Sequence, residues 1–216
     1  MTRLGSWKLV DTLPGEHLVE DTIRQLFDGD GTIYLVTGFF TGNAYRSLRD
    51  DIVGFLERSP DNELVILANP SADQFSKTVI NDLRKIEQGD RLKLLKYPHG
   101  FLHAKLYVRD GPEPMAILGS ANLTRGAFEY NLELGMVVEG DGPGDPTISR
   151  FVEWIEKVMS YSRPIDRRDL FFLKRVAMTV TNWVNKGRLL PAKHIATRLS
   201  PILLVLLGAL VLSWIV

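Results

Sequence analysis

HAKLYVRD (residues 103–110) followed by GSANLTRGAFEYNLEL (residues 119–134) is the stretch of this 216-residue chain that decides how the rest is read. His103–Arg109 reads as a strand, and because side chains alternate faces along a strand, His103 and Lys105 are expected to point the same way. Asp110 closes the run. A Gly-Pro turn at Gly111-Pro112 leads into a second strand over Met115–Gly119, so the two form a hairpin. Beyond it, Gly119 is expected to permit a tight turn, while Ser120 and Asn122 supply neutral hydrogen-bond donors. A further strand over Asn131–Val138 places Glu133 two residues from Asn131, again on one face. A nucleophile, a cation, two donors and a carboxylate suit a phosphate ester.

The flanking segments alternate in period. Thr32–Thr37 (TIYLVT) and Glu63–Ala68 (ELVILA) are short apolar runs rich in β-branched residues, and Arg91–Tyr97 (RLKLLKY) is strand-like as well. Ala44–Leu56 and Ala72–Glu87 recur at helical spacing, and a last helix is expected over Thr147–Ser160. The rhythm is α/β and predicts one mixed β-sheet flanked by helices, a catalytic domain over residues 1–160.

Composition excludes several classes. Lys and Arg number 26 against 26 Asp and Glu, which rules out a uniformly basic nucleic-acid coat and an acidic disordered chain. The absence of Cys removes disulfide scaffolds, thiolate nucleophiles and Cys-based zinc sites. His17, His99, His103 and His194 show no ligand spacing, so neither a metal nor a cofactor is expected. Arg3, Lys8 and Asp11 interrupt the N-terminal stretch before any run of secretory length, and no cleaved leader is expected.

The balance conceals a break in the chain. Residues 1–160 carry 17 basic and 24 acidic side chains, whereas residues 161–216 carry nine and two. Residues 161–198 read as a basic amphipathic helical linker, with Phe171, Phe172, Val176, Trp183 and Val184 set among Lys174, Arg175, Lys186 and Arg188. Leu199–Val216 then runs eighteen residues without a charge. As a helix it would span ~27 Å, close to the ~30 Å of a hydrocarbon core. The same run would also suit a helix buried between protomers. Because Lys186, Arg188, Lys193 and Arg198 precede it, we expect a single-pass C-terminal membrane anchor with the catalytic domain on the cytoplasmic side.

HAKLYVRD with the downstream GSAN and NLE closely resembles the signature of the phospholipase D superfamily, His-x-Lys-x4-Asp followed by Gly-Ser-x-Asn and a later acidic residue. Within it, the motif looks most like the nuclease-like branch, which includes metal-independent restriction endonucleases and small bacterial nucleases. The interval from Asp110 to Gly119 is two residues longer than the commonest form, a difference that a longer hairpin loop at Gly111–Pro114 absorbs.

The resemblance implies roles. His103 would attack phosphorus to form a phosphohistidine, and Lys105, Asn122 and Ser120 would face the phosphoryl oxygens. Glu133 would accept a hydrogen bond from the far imidazole nitrogen, and Asp110 would serve as an acceptor at the strand end. The mechanism needs a second histidine as acid, yet none of His17, His99 and His194 is followed by x-Lys. A homodimer is therefore expected, each copy providing His103 to one shared site, with His99 as the fallback acid. Two substrates stay open. A nuclease would use Arg125, with Lys93 and Lys96, to track a nucleic-acid backbone; a lipid hydrolase would use Phe101, Leu102, Phe128 and Tyr130 as an apolar rim. A third class, a degenerate fold used for binding, is disfavoured because every catalytic position is filled.

Overall fold

Local sequence sets the strands. The computed structural model describes residues 6–12, 18–69, 77–86, 89–166 and 169. They form β1 (Ser6–Asp11), α1 (Leu18–Gln25), a short 3-10 turn (Leu26–Asp28), β2 (Thr32–Thr37), α2 (Gly42–Arg58), β3 (Glu63–Ala68), α3 (Lys77–Ile86), β4 (Leu92–Lys96), β5 (Leu106–Asp110), β6 (Met115–Gly119), α4 (Arg125–Glu129), β7 (Leu134–Glu139), α5 (Pro146–Ser160) and β8 (Arg163–Pro164). All eight strands join one sheet in the order β1-β7-β6-β5-β2-β3-β4-β8. Strands β2, β3 and β4 run parallel, as strands joined through helices do, and the remaining pairs are antiparallel.

Because side chains alternate, the central strands feed two cores. Ile33, Leu35, Leu64 and Ile66 pack with Leu48, Ile52 and Phe55 of α2 on one face. Tyr34, Val36, Val65 and Leu67 pack with Ile148, Val152 and Ile155 of α5 on the other. Each fully buried side chain of this kind stabilises by ~1.5–3 kcal/mol before entropy is counted. The helices begin where capping residues stand. The Thr41 hydroxyl accepts from the Ala44 N–H, and Asp145 accepts from the Thr147 and Ile148 N–H groups at 2.9 Å and 3.1 Å just before Pro146.

The mixed sheet with helices on both faces is the expected architecture, with differences in detail. Strand β5 starts at Leu106 rather than His103, and β7 at Leu134 rather than Asn131. The expected helix over 72–87 is α3, Lys77–Ile86, within the described residues. Strand β8 and the buried Ile165 lie past residue 160, and the described residues all fall in one compact unit, Met1–Lys174. Among the described residues no helix is long and apolar enough to cross a membrane. Most of the expected linker over 161–198 and all of the run 199–216 lie outside them.

Candidate active site

The sheet brings most of the motif, all but Asp110, to one end. Val36 of β2 pairs with Leu106 of β5, Leu106 with Leu118 of β6, and Gly119 with Gly135 of β7. The start of β5, the end of β6 and the start of β7 therefore meet where β2 and β3 finish, at Thr37 and Ala68. Catalytic groups collect at such carboxyl ends in open α/β sheets.

Gly38 locates the centre. A Cβ built there would stand 3.0 Å from the Leu102 carbonyl oxygen, 3.2 Å from Asn122 Oδ1 and 3.8 Å from His103 Cα. The residue after β2 is thus the floor on which the His103 segment and the Asn122 turn approach each other, and a side chain there would push them apart. Gly119 is demanded by a similar crowding. A Cβ there would fall 2.6 Å from Gly135 Cα and closer still to the Leu134 carbonyl oxygen, so the need is strand approach rather than the expected tight turn.

His103 and Lys105 come before β5 rather than within it, so their common placement does not come from strand alternation. Lys105 Nζ donates to the His103 carbonyl oxygen at 2.8 Å. What holds this segment is a residue that the sequence did not mark. Asn69, directly after β3, donates through Nδ2 to the carbonyls of Gly38 at 3.0 Å and Leu102 at 2.8 Å, and its Oδ1 accepts from the Leu102 N–H at 3.2 Å. The amide thus fixes the backbone one residue before His103. His103 itself is exposed, its ring 6.0 Å from that of Phe101.

Asn122 is oriented by what its oxygen does. Oδ1 accepts from the Phe39 N–H at 3.2 Å and from the Thr37 hydroxyl at 3.3 Å. That leaves the amide NH2 as the end available to a ligand. The preceding residue is fixed from below by the fully buried Tyr107, whose hydroxyl donates to the Ala121 carbonyl at 2.7 Å. Burial pushes that phenol well above its ordinary range, so it stays a donor.

Glu133 is buried, and its carboxylate takes the Ser120 hydroxyl on one oxygen and Asn131 Nδ2, at 3.1 Å, on the other. Its N–H donates to the Thr12 hydroxyl at 2.7 Å, tying the segment to β1. The expected bond from His103 to Glu133 is not made within the chain. Glu133 instead acts on Lys105: burial lowers the ammonium pKa and the carboxylate opposes that fall, with the net result below the ordinary lysine range. Ser120, Glu133 and Lys105 are thus linked to one another, Lys105 reaches the His103 backbone, and Asn122 approaches that backbone across Gly38.

Three expected site residues do not join it. Asp110 ends β5, at the opposite end of the strand from Lys105. Lys96 is committed to Asp169, whose carboxylate also takes Arg163 at 2.8 Å. Burial pushes the Asp169 carboxyl up, and the hydrogen bonds from Arg163 and Lys96 outweigh it, leaving it below its ordinary range. Arg125 opens α4 with its Nε on the Glu129 carboxylate at 2.8 Å and its guanidinium 5.4 Å from the Tyr130 ring centroid, beside a different hollow lined by Asn43 and Arg46. His99 lies edge-on to Tyr97 and Tyr161 and makes no described contact with His103.

The sequence matches the family described as cardiolipin synthase, PLD-like domain, over residues 24–159. No curated protein shows a significant match. Among solved structures the chain is similar to NucT from Helicobacter pylori, with 17% identity and a TM-score of 0.55, covering 74% of this chain and 100% of that one. It is similar to Nuc from Salmonella typhimurium, a phospholipase D family member, with 15% identity and a TM-score of 0.56, covering 74% and 99%. It is also similar to phosphatidylserine synthase from Haemophilus influenzae Rd KW20, with 15% identity and a TM-score of 0.59, covering 84% of this chain and 47% of that one. With a family match over more than half of its length, the chain belongs to the phospholipase D superfamily.

Proposed function

We propose that the chain is a metal-independent phosphodiesterase acting on nucleic acid as an endonuclease, with His103 as nucleophile in a site shared by two copies. The observation that carries it is the gathering of His103, Lys105, Asn122, Ser120 and Glu133 at the carboxyl ends of β2 and β3, with the donor end of Asn122 left for a phosphoryl oxygen. In the first step a ring nitrogen of His103 bonds to phosphorus as the P–O bond to the leaving group breaks, and the leaving oxygen takes a proton from the partner subunit's His103. In the second step water attacks the phosphohistidine and returns that proton, freeing His103. Lys105 and Asn122 hold the charge that develops on the non-bridging oxygens, donors of the kind that lower a barrier by ~3–4 kcal/mol each.

Two features support the second copy. Each subunit supplies one His-x-Lys, and among the described residues no hydrogen bond holds the ring of His103, which leaves that bond to a group of the second copy. Beside the site stand apolar side chains that a partner would cover. Leu132 is 75% exposed and Leu134 is 58% exposed, on either side of Glu133. By register, Trp7 and Leu9 of β1 share a face with Leu134 and extend this patch.

A lipid hydrolase is the second reading. It draws on the run 199–216, which we read as a membrane anchor holding the body on the cytoplasmic side. Purified protein in EDTA is to be incubated in parallel with single- and double-stranded DNA, RNA and anionic liposomes, with His103→Ala as control. His103-dependent cleavage of polynucleotide with intact lipid supports the nuclease; hydrolysis of lipid alone overturns it.

A further inference from the structure

His103 is also one wall of a groove. An open cleft of about 430 Å³ runs from it between the Tyr97–Ala104 segment and α5. From α5 the cleft takes Trp154, Lys157 and Val158, and beyond the helix end Tyr161, at spacings of three, four and seven that place them on one side. Facing them are Tyr97, Phe101 and His103. These rings are open to solvent: Phe101 is 59% exposed, Tyr161 56% and Trp154 43%. The Phe101 ring lies 5.4 Å from Phe39 and 6.0 Å from His103, so an aromatic surface runs up to the reacting nitrogen.

We infer that this cleft is a stacking subsite for single-stranded nucleic acid, in which a base next to the scissile phosphate lies against Phe101, Trp154 or Tyr161 and Lys157 meets the adjoining phosphate. This rests on reading His103 as the phosphodiester site. Every base presents a π face, so such a platform binds without regard to sequence. In a duplex those faces are hidden, and a body with 17 basic against 24 acidic side chains lacks the phosphate contacts that hold duplex tightly. Acyl chains would call for aliphatic walls. Here Leu102, Ala104 and Val158 are the aliphatic lining beside the rings of Tyr97, Phe101, Trp154 and Tyr161, two of which carry phenolic hydroxyls, and His99 stands edge-on at 5.4 Å from Tyr97 and 6.4 Å from Tyr161.

The test is fluorescence anisotropy of labelled oligothymidylate with full-length His103→Ala protein in EDTA, to which Trp154→Leu, Tyr161→Leu, Trp154→Phe or Tyr161→Phe is added. Leu keeps apolar bulk and removes the ring. The Leu variants are expected to weaken Kd by about tenfold each, and the Phe variants to stay near the parent, as loss of one stacked base predicts. An abasic oligonucleotide is expected to bind weakly and alike to all of them. Equal oligothymidylate affinity for Leu and Phe variants overturns the subsite, and so does retention of anionic vesicles that the parent binds and the Leu variants release. Hydrolysis of bis(p-nitrophenyl) phosphate by the protein with His103 intact is read separately. Its absence defeats the phosphodiesterase reading while the binding series still decides the groove.

Discussion

Asn69 grips the main chain of Leu102 with both ends of its carboxamide, at 2.8 Å to the carbonyl oxygen and 3.2 Å from the N–H, one residue before His103, the proposed nucleophile. A third bond, to the Gly38 carbonyl at 3.0 Å, ties the same side chain to the floor of the site. Asn69 is thus a positioning residue: it touches no reacting atom and sets where His103 begins.

Asn69→Ala is expected to lower kcat by on the order of tenfold to a hundredfold with KM little changed, since small misplacements of a reacting group cost rates of that size. Steady-state kinetics on a soluble phosphodiester reads the split. A rise in KM at constant kcat would instead assign Asn69 to substrate binding.

Lys105 and Glu133 give the pH profile a sign. Burial holds the Lys105 ammonium below its ordinary value while Glu133 supports it. The cation is present below its folded pKa and lost as pH rises through it, so activity that needs the cation falls on the alkaline side earlier than a free lysine, near ~10.4, would allow. Glu133→Gln removes the supporting charge and is expected to move that limb to lower pH. A limb that stays in place in the pH dependence of kcat/KM would separate the two residues.

Lys96 and Asp169 form a structural pair. Asp169 has a side chain 7% exposed, and its partners are Lys96 and Arg163. Lys96→Met is expected to cost ~1–3 kcal/mol in denaturant unfolding, because a buried acceptor loses one of its charged donors. KM for oligonucleotide should not change. A raised KM at unchanged stability would return Lys96 to the substrate.

How far the sequence was legible follows from where each residue finds its partners. Strands β2, β3 and β6 have the expected limits because their apolar runs are buried on both faces and carry the signal within five or six residues. Strand β1 escaped notice since it is an edge strand with four exposed residues, including Trp7 and Leu9, and its pairing partner is β7, far along the chain. The site residues His103, Lys105, Asn122, Ser120 and Glu133 were recognisable as a motif. Asn69 was not, because it recognises main-chain atoms at Gly38 and Leu102, and a backbone partner leaves no mark in composition or spacing. Lys96 looks like a free cation in sequence, and only the fold brings Asp169 to it, whereas Arg125 meets Glu129 one helical turn on, a pair that the spacing itself carries.

The shared site is tested most directly by mixing. Wild-type and His103→Ala subunits are unfolded together, refolded at varied ratio, and assayed for phosphodiester cleavage in EDTA. If two copies of His103 serve one phosphoryl group, mixed dimers are inactive and activity falls as the square of the wild-type fraction. A fall in direct proportion to that fraction would mean that each subunit works alone, and would contradict the account.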